Sequence, residues 1–250
     1  MKVNQALILA GGVGSRLGLG TKSLLMYKGK ILLEYLIDSC IKANIKNIAV
    51  VLVPKELEKN IDKNKLKRLN FIIRKYPKIK FVRGSNLSFR ETPNEVRNHL
   101  DEKEPFFILC GQSPQASSHL ENMSKAYKKN TVVTSGYKYR HDYIVSMGKV
   151  GKNKIVSFTN MESTRPRNFT ASSKEFITHF PYIIDFDFYD NYLKKDKYKY
   201  RLEFYLNNFL KNGGDIYYIE NPIQISEVDY KVDIPRLHKS IDRLIEDNKK

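Results

Sequence analysis

Residues 3 to 10 form a nearly unbroken apolar run that stops at Gly11, Gly12 and Gly14. That is the pattern of a strand covered on both faces and ended by a tight loop. Between Ile31 and Ala43 the positions Leu32, Leu33, Leu36, Ile37, Cys40 and Ile41 recur at helical spacing, and Asn47 to Val53 is again continuously apolar. Strand, helix and strand in this order put the crossover helix on a parallel sheet through a right-handed connection. The alternation continues with a lysine-rich helix near Lys55 to Lys67 and strands near Asn70 to Ile73 and Ile79 to Arg83. A further helix opens at Thr92 as its cap, with Pro93 in the first position and Glu95 three residues after the cap. Phe106 to Cys110 is the next buried strand, stopped by Gly111; strands near Thr131 to Tyr137 and Tyr143 to Met147 follow, then a turn over Gly148 to Asn153 and a strand at Lys154 to Phe158. Past Pro166 the texture turns aromatic, with Phe176, Phe180, Tyr182, Phe186, Phe188, Tyr189 and Tyr192, and this part is expected to form a lid-like side of the same sheet. The fold class is α/β.

At 250 residues, 41% hydrophobic and 28% charged, the chain can bury roughly 70% of its unfolded surface, which excludes a disordered, fibrous or disulfide-stapled protein. Its longest apolar runs, such as Ile48 to Val53, fall far short of the roughly 20 residues a bilayer crossing needs. Only Lys2 precedes the first apolar stretch, with no small-residue cleavage pattern, so the start reads as a buried strand and a cytoplasmic location without membrane association is expected. The two cysteines, Cys40 and Cys110, are too few for a disulfide framework or a zinc site and read as core thiols. A net charge of +17 invites a nucleic-acid reading. Its lysines are interleaved with acids along the whole chain, however, and no arginine-rich arm, zinc finger or helix-turn-helix pattern accompanies them. Attraction of small anionic substrates requires much less.

The chemistry concentrates between Leu7 and Leu25. Consecutive glycines let backbone N–H groups approach and point at one phosphate, while Arg16 and Lys22 add a bidentate fork and a mobile point charge. Thr21-Lys22-Ser23 lacks the G-x-x-x-x-G-K frame of a Walker loop, and Gly12 to Leu17 puts leucine where the third small residue of a dinucleotide loop belongs. The run Leu9, Ala10, Gly11, Gly12, Val13, Gly14, Ser15, Arg16, Leu17, followed by Lys22-Ser23-Leu24-Leu25 and Gly29-Lys30, resembles the signature of nucleotidyltransferases of the sugar-nucleotide and molybdopterin-guanine type, the MobA-like NTP transferases. The resemblance implies a Rossmann-like three-layer sandwich of glycosyltransferase-A type with a mostly parallel mixed central sheet. It also implies a loop, Leu9 to Ser15, that binds a nucleoside triphosphate, with Arg16 and Lys22 as the catalytic cations that neutralise the phosphates and the pyrophosphate leaving group.

The same resemblance nominates further residues. The segment Gly84 to Val96 falls where relatives help to read the base, pointing to Ser85, Arg90, Glu91, Thr92 and Asn94; a helix cap on a surface loop is the alternative reading. Relatives carry L-x-x-x-G-D-x-P where this chain reads Leu109-Cys110-Gly111-Gln112-Ser113-Pro114, so Gly111 and Gln112 join the nucleotide site with an amide in place of the metal-binding carboxylate. Mg2+ prefers charged oxygens. Three explanations stay open: Mg2+ held by the triphosphate and another acid, Gln112 turned to substrate recognition, or lost catalysis. Val232-Asp233-Ile234 resembles the family's second carboxylate, with Asp233 preferred to Asp229 as the metal ligand. On the acceptor side, Arg165 and Arg167 stand where relatives have a phosphate-binding lysine, His179 precedes Phe180-Pro181-Tyr182, and Glu203 matches a helical acid.

The implied reaction couples a nucleoside triphosphate, with CTP favoured, to a phosphorylated small molecule and releases pyrophosphate. The acceptor is a sugar phosphate or a phospho-amino compound such as phosphoglutamine or phosphocholine, in capsule or surface-polysaccharide synthesis. Mg2+ is the implied cofactor. One transferase domain over residues 1–250 is expected, with 1–115 as the nucleotide half and 116–250 as the acceptor half; a homodimer stays open, and no nucleic-acid or membrane partner is expected. The competing class is a non-catalytic nucleotide-binding or regulatory protein with a degenerate metal site.

Overall fold

The computed structural model describes residues 2–12, 21–84, 91–137, 139–140, 146–152, 154–160, 169–170, 174–194, 202–223 and 233–249. Nine strands form the main sheet: β1 Gln5–Ala10, β2 Asn47–Leu52, β3 Lys80–Arg83, β4 Phe106–Cys110, β5 Thr131–Tyr137, β6 Ser146–Gly151, β7 Lys154–Asn160, β8 Glu175–Ile184 and β9 Asp215–Glu220. The longer helices are α1 Leu32–Lys42, α2 Lys63–Lys75, α3 Ser117–Ala126, α4 Leu202–Lys211 and α5 Ile234–Asp247. The sheet order is β3-β2-β1-β4-β8-β5-β9-β7-β6, with a further pairing of β8 to β6. Only β7 and β8 run against the other strands, so the sheet is mixed and mostly parallel.

Alternating side chains of the strands serve two cores. Ala6, Ile8 and Ala10 of β1 point with Ile48, Val50 and Leu52 of β2 into the layer of Leu33, Leu36, Ile37, Leu69, Ile72 and Leu120 on α1, α2 and α3. Leu7, Ala49, Val51, Phe106 and Ile108 face the other way, onto Phe186, Tyr189, Tyr205 and Leu206. The result is a three-layer α/β sandwich, as the alternation of elements implies. α1 carries one buried acid, Glu34, 1% exposed, on its core side. Two cations of α2 neutralise it, Arg68 Nη2 at 2.5 Å and Lys75 Nζ at 2.9 Å, so the buried charge is paired.

Several boundaries differ from the pattern. The segment near Lys55 to Lys67 splits into a 3-10 turn, Lys55–Asn60, and the start of α2. Asn70 to Ile73 is not a strand but the middle of α2: Asp62 caps that helix by accepting from the Asn64 and Lys65 backbone N–H groups, and Leu66, Leu69, Ile72 and Ile73 line one side of it. Thr92 is not the cap of its helix. Glu91 holds that position, Thr92 is the first residue, buried, and the helix lasts one turn, Thr92–Glu95. The turn expected over Gly148 to Asn153 is strand as far as Gly151, with Lys152 at φ 55° starting the reversal. Gly148 serves the packing there, because a Cβ on it would lie 2.2 Å from the Phe176 ring. Of the strand expected over Tyr143 to Met147, positions 143–145 lie outside the described residues.

Candidate active site

In an open α/β sheet, ligands bind beyond the carboxyl ends of the strands, where the strand order reverses. Here the order reverses between β1 and β4: β2 and β3 extend the sheet on one side of β1, and β4 extends it on the other. Gln5 of β1 faces Asn47 and Phe106, and the two parallel registers run without a shift to Ala10 against Leu52 and Leu9 against Cys110. Three strand ends therefore finish level. Gly111 follows β4, and its N–H donates to Leu9 O at 2.9 Å. A Cβ at that position would stand 3.1 Å from Ala10 Cβ and from Leu9 O, so glycine lets the chain leave close beside β1.

Leu9 and Ala10 end β1, and Gly11 and Gly12 continue from it. The chain returns at Thr21 into a 3-10 turn, Lys22–Leu24, in which the Ser23 hydroxyl donates to Ala10 O at 3.3 Å. That bond brings Lys22, 8% exposed, back to the strand end from which the glycines depart. A small hairpin then reverses at Lys28 and Gly29, both at positive φ (43° and 78°). It is fastened to α5: Tyr27 Oη donates to Asp242 Oδ2 at 2.9 Å, Lys28 Nζ donates to Asp242 Oδ1 at 2.6 Å, and the Tyr27 and His238 rings stack at 4.1 Å. The bonds from Lys28 and Tyr27 hold the Asp242 carboxyl below the ordinary carboxylate range.

Asp233 sits at the N-cap position of α5, buried, with Arg236 Nη2 at 3.8 Å from its carboxylate. Its helix packs through Leu237, Ile241 and Leu244 on Leu32, Tyr35, Ala116 and Ile223. α5 thus touches both the segment after Lys22 and the segment after Gln112. In the stretch from Gly111 to Ser117, Gln112 alone is half-exposed and the rest is buried. Thr92 lies in the short helix whose Glu95 Oε2 would stand 3.3 Å from a Cβ on Gly84; Gly84 N–H donates to Leu52 O at 3.0 Å, which brings this helix near the end of β2.

Other nominated residues stand further apart or beyond view. Glu203 is buried in the first turn of α4, a helix held to β7 by Asn207, whose amide bonds both the N–H and the C=O of Phe158 at 2.9 Å. His179 pairs with Ser135 in the β8–β5 ladder, and its side chain is outside the description. Val13, Gly14, Ser15, Arg16, Ser85, Arg90, Arg165, Arg167 and Asp229 lie outside the described residues.

Among the described residues no group of three or more His, Cys, Asp or Glu could hold a metal ion. Mg2+ is commonly held by one or two carboxylates together with substrate phosphates. Among the described residues Asp233 is the nominated carboxylate that could contribute to such a site.

Sequence reasoning missed the polar residues behind the Gln112 turn. Gln115, 1% exposed, bonds Ser113 and Asn221, and His119 Nε2 pairs with Ser135 Oγ at 2.8 Å. Burial pushes the His119 pKa down to about 4, so the ring is neutral at ordinary pH. Each is a lone polar residue with no motif around it, and its role becomes visible only when the strands come together.

Residues 6–149 match the model of the MobA-like NTP transferase domain. The adenosylcobinamide-phosphate guanylyltransferase of Methanocaldococcus jannaschii is 28% identical over 117 residues, 47% of this chain and 56% of that protein. The chain thus spans about half the length of the curated relative it matches. Among solved structures, the inositol-1-phosphate CTP transferase from T. maritima superposes with a TM-score of 0.73 at 16% identity, covering 98% of both chains. A UDP-glucose pyrophosphorylase complexed with UDP-glucose gives 0.67 at 14% identity, covering 98% of this chain and 99% of that one. These two likenesses establish the shared fold.

Proposed function

The chain belongs to the MobA-like NTP transferase family, and from that premise we propose that it is a nucleotidyltransferase joining a nucleoside triphosphate to a phosphorylated small molecule with release of pyrophosphate. The observation that carries this reading is the return of Lys22 to the end of β1, fixed by the Ser23 bond to Ala10, beside Gly11 and Gly12 and at the reversal of strand order. A buried lysine at that place is suited to a polyphosphate tail.

In the proposed reaction a phosphate oxygen of the acceptor attacks the α-phosphorus in line, the bond from the α-phosphorus to the bridging oxygen breaks, and pyrophosphate leaves. No general base is required, because a phosphate acceptor is ionised at neutral pH. The protein aligns nucleophile and leaving group and offsets the charge that develops. Lys22 and Arg16 supply that charge, the backbone of Gly11 to Ser15 cradles the triphosphate, and Gln112 contacts the nucleotide from the facing turn. Asp233, with Asp229 as its alternative, would hold Mg2+ on the triphosphate; the ion supplies charge neutralisation when bound. Ser85, Arg90 and Thr92 are assigned to the base, and Arg165, Arg167, His179 and Glu203 to the acceptor.

CTP is the favoured donor, supported by the fold shared with the T. maritima CTP transferase over nearly the whole chain. The acceptor class remains that of sugar phosphates and phospho-amino compounds, within surface-polysaccharide synthesis. Pyrophosphate release, screened with the four triphosphates against phosphorylated acceptors with and without Mg2+, tests the reading. Lys22→Ala is expected to lower turnover by roughly 100-fold; an unchanged rate would remove Lys22 from the site. A second reading, a nucleotide-binding protein without catalysis, draws on the amide at Gln112. It is favoured if triphosphate binds and pyrophosphate never appears.

A further inference from the structure

The turn bearing Gln112 is gripped from behind. Ser113 N–H closes it on Cys110 O at 2.9 Å. Gln115 Nε2 then donates to Ser113 O at 2.9 Å and reaches Ser113 Oγ at 3.3 Å, while Gln115 Oε1 accepts from Asn221 Nδ2 at 2.7 Å. Asn221, 5% exposed, is tied on every side: its N–H donates to Gly136 O at 2.9 Å, its Oδ1 accepts from Ile223 N–H at 3.1 Å, and Nδ2 also lies 3.5 Å from Tyr137 Oη.

Three chain segments meet in this network, each at or just past the carboxyl end of a different strand: 111–115 after β4, 136–137 at the end of β5 and 221–223 after β9. Apolar side chains could fill the same space without bonds, but they would not fix the turn in one position. A buried polar network with its partners in place specifies one arrangement, and losing one member leaves the next unpaired. A second tether, His119 to Ser135, fastens the helix after the turn to the same strand β5, and its neutral ring keeps the contact uncharged.

We propose that Asn221, acting through Gln115, is a positioning residue of the transferase site, setting the turn that presents Gln112 to the crevice and locking it to the strands of the acceptor half. The assignment rests on the transferase reading above. Neither Asn221 nor Gln115 touches substrate in this account; they hold what does. Misplacement of a reacting group by about 1 Å can cost on the order of 100-fold in rate, so a loosened turn should appear in kcat more than in KM for the triphosphate.

The test uses the full chain with Asn221→Ala, Gln112→Ala and the double variant. Asn221→Ala is expected to lower kcat about 10-fold or more with KM for the triphosphate changed less than about threefold. The double variant should be no slower than the worse single one, because both changes act on the same group. Losses that multiply, or a wild-type kcat for Asn221→Ala, would overturn the proposal. If Asn221→Ala does not fold, Gln115→Met breaks the same link from the other side and is judged by the same criteria. Hydrogen exchange supplies a readout independent of turnover: the Ser113 amide should exchange faster in either variant, and unchanged protection there sinks the inference. Should the wild type release no pyrophosphate with any donor, the transferase reading fails, while the exchange result still decides whether Asn221 sets the turn.

Discussion

On one side of the β4–β8 pairing the strands β3, β2, β1 and β4 lie parallel in unbroken register. On the other the sheet curls until β8 meets β6, and the registers slip between Ile155 and Ser157 and between His179 and Tyr182. The open half leaves the ends of β2, β1 and β4 level. The curled half gives up that regularity and gains a closed wall, because β8 bonds β5 from Ile177 to Ile183, β4 with its last residues and β6 with its first. In the proposed reaction the open half would hold the triphosphate, and the curled half would supply the face against which an acceptor is aligned. Bonds across the joint keep the halves together, among them the bidentate pair of Arg97 with Asp190 at 2.8 and 2.7 Å.

The largest expected effect breaks the curl alone. Phe176 is fully buried, stacked on Tyr218 at 4.0 Å and packed over two glycines, where a Cβ on Gly136 would lie 2.5 Å from the ring and one on Gly148 2.2 Å. Phe176→Ala should cost about 3–5 kcal/mol in equilibrium urea unfolding. Adding Gly148→Ala, which clashes on its own, should return part of that loss by refilling the space. If the double variant is less stable than Phe176→Ala, the ring and the glycine are not one packing unit. At temperatures where Phe176→Ala remains folded, triphosphate affinity should stay near wild type, since the open half is untouched.

The same contrast governs what can be read from sequence. β4 begins and ends at the residues its apolar run marks, because a strand buried on both faces needs continuous apolar side chains. Gly11, Gly12, Lys22 and Gln112 lie at the ends of β1 and β4, as the apolar runs before them mark, because a tight exit from a buried strand restricts residue type locally. In the curled half the determinants are distant. Gly148 looks like a turn until Phe176 is seen above it, and the β8–β6 pairing has no local signature. α2 misleads differently, since Phe71-Ile72-Ile73 has the composition of a strand and only the Asp62 cap and the spacing from Leu66 disclose a helix. Asn221 and Gln115 carry no pattern at all, because their meaning is their bond to each other.

A pH titration probes the joint between the halves. The unfolded chain binds a proton on His119 at the ordinary value of 6.5, whereas the folded chain binds it only near pH 4 because burial disfavours the charged ring. The stability linked to this group is therefore complete above pH 6.5, declines as the pH falls through the window down to 4, and levels off below it. The full loss is about 3 kcal/mol. Urea midpoints of wild type and His119→Asn across that window measure it. The wild type should lose stability steeply relative to the variant, and parallel curves would show that the ring protonates freely, with the Ser135 tether loose.

The smallest effect sharpens the open half. Gln112 occupies the half-exposed position of an otherwise buried turn, where the family pattern has a carboxylate. Gln112→Asp restores the charge on a side chain one methylene shorter, and the turn's closure through Ser113 and Gln115 uses no atom of the Gln112 side chain. If the turn faces a Mg2+ carried on the triphosphate, a second carboxylate beside Asp233 should tighten the ion by roughly tenfold. Calorimetric titration of Mg2+ into the nucleotide-bound protein reads this directly, and pyrophosphate release should then saturate at lower Mg2+. An unchanged Mg2+ affinity with weakened triphosphate binding would mean that the amide bonds the nucleotide itself, and that this chain holds its metal through Asp233 and phosphate oxygens without help from β4.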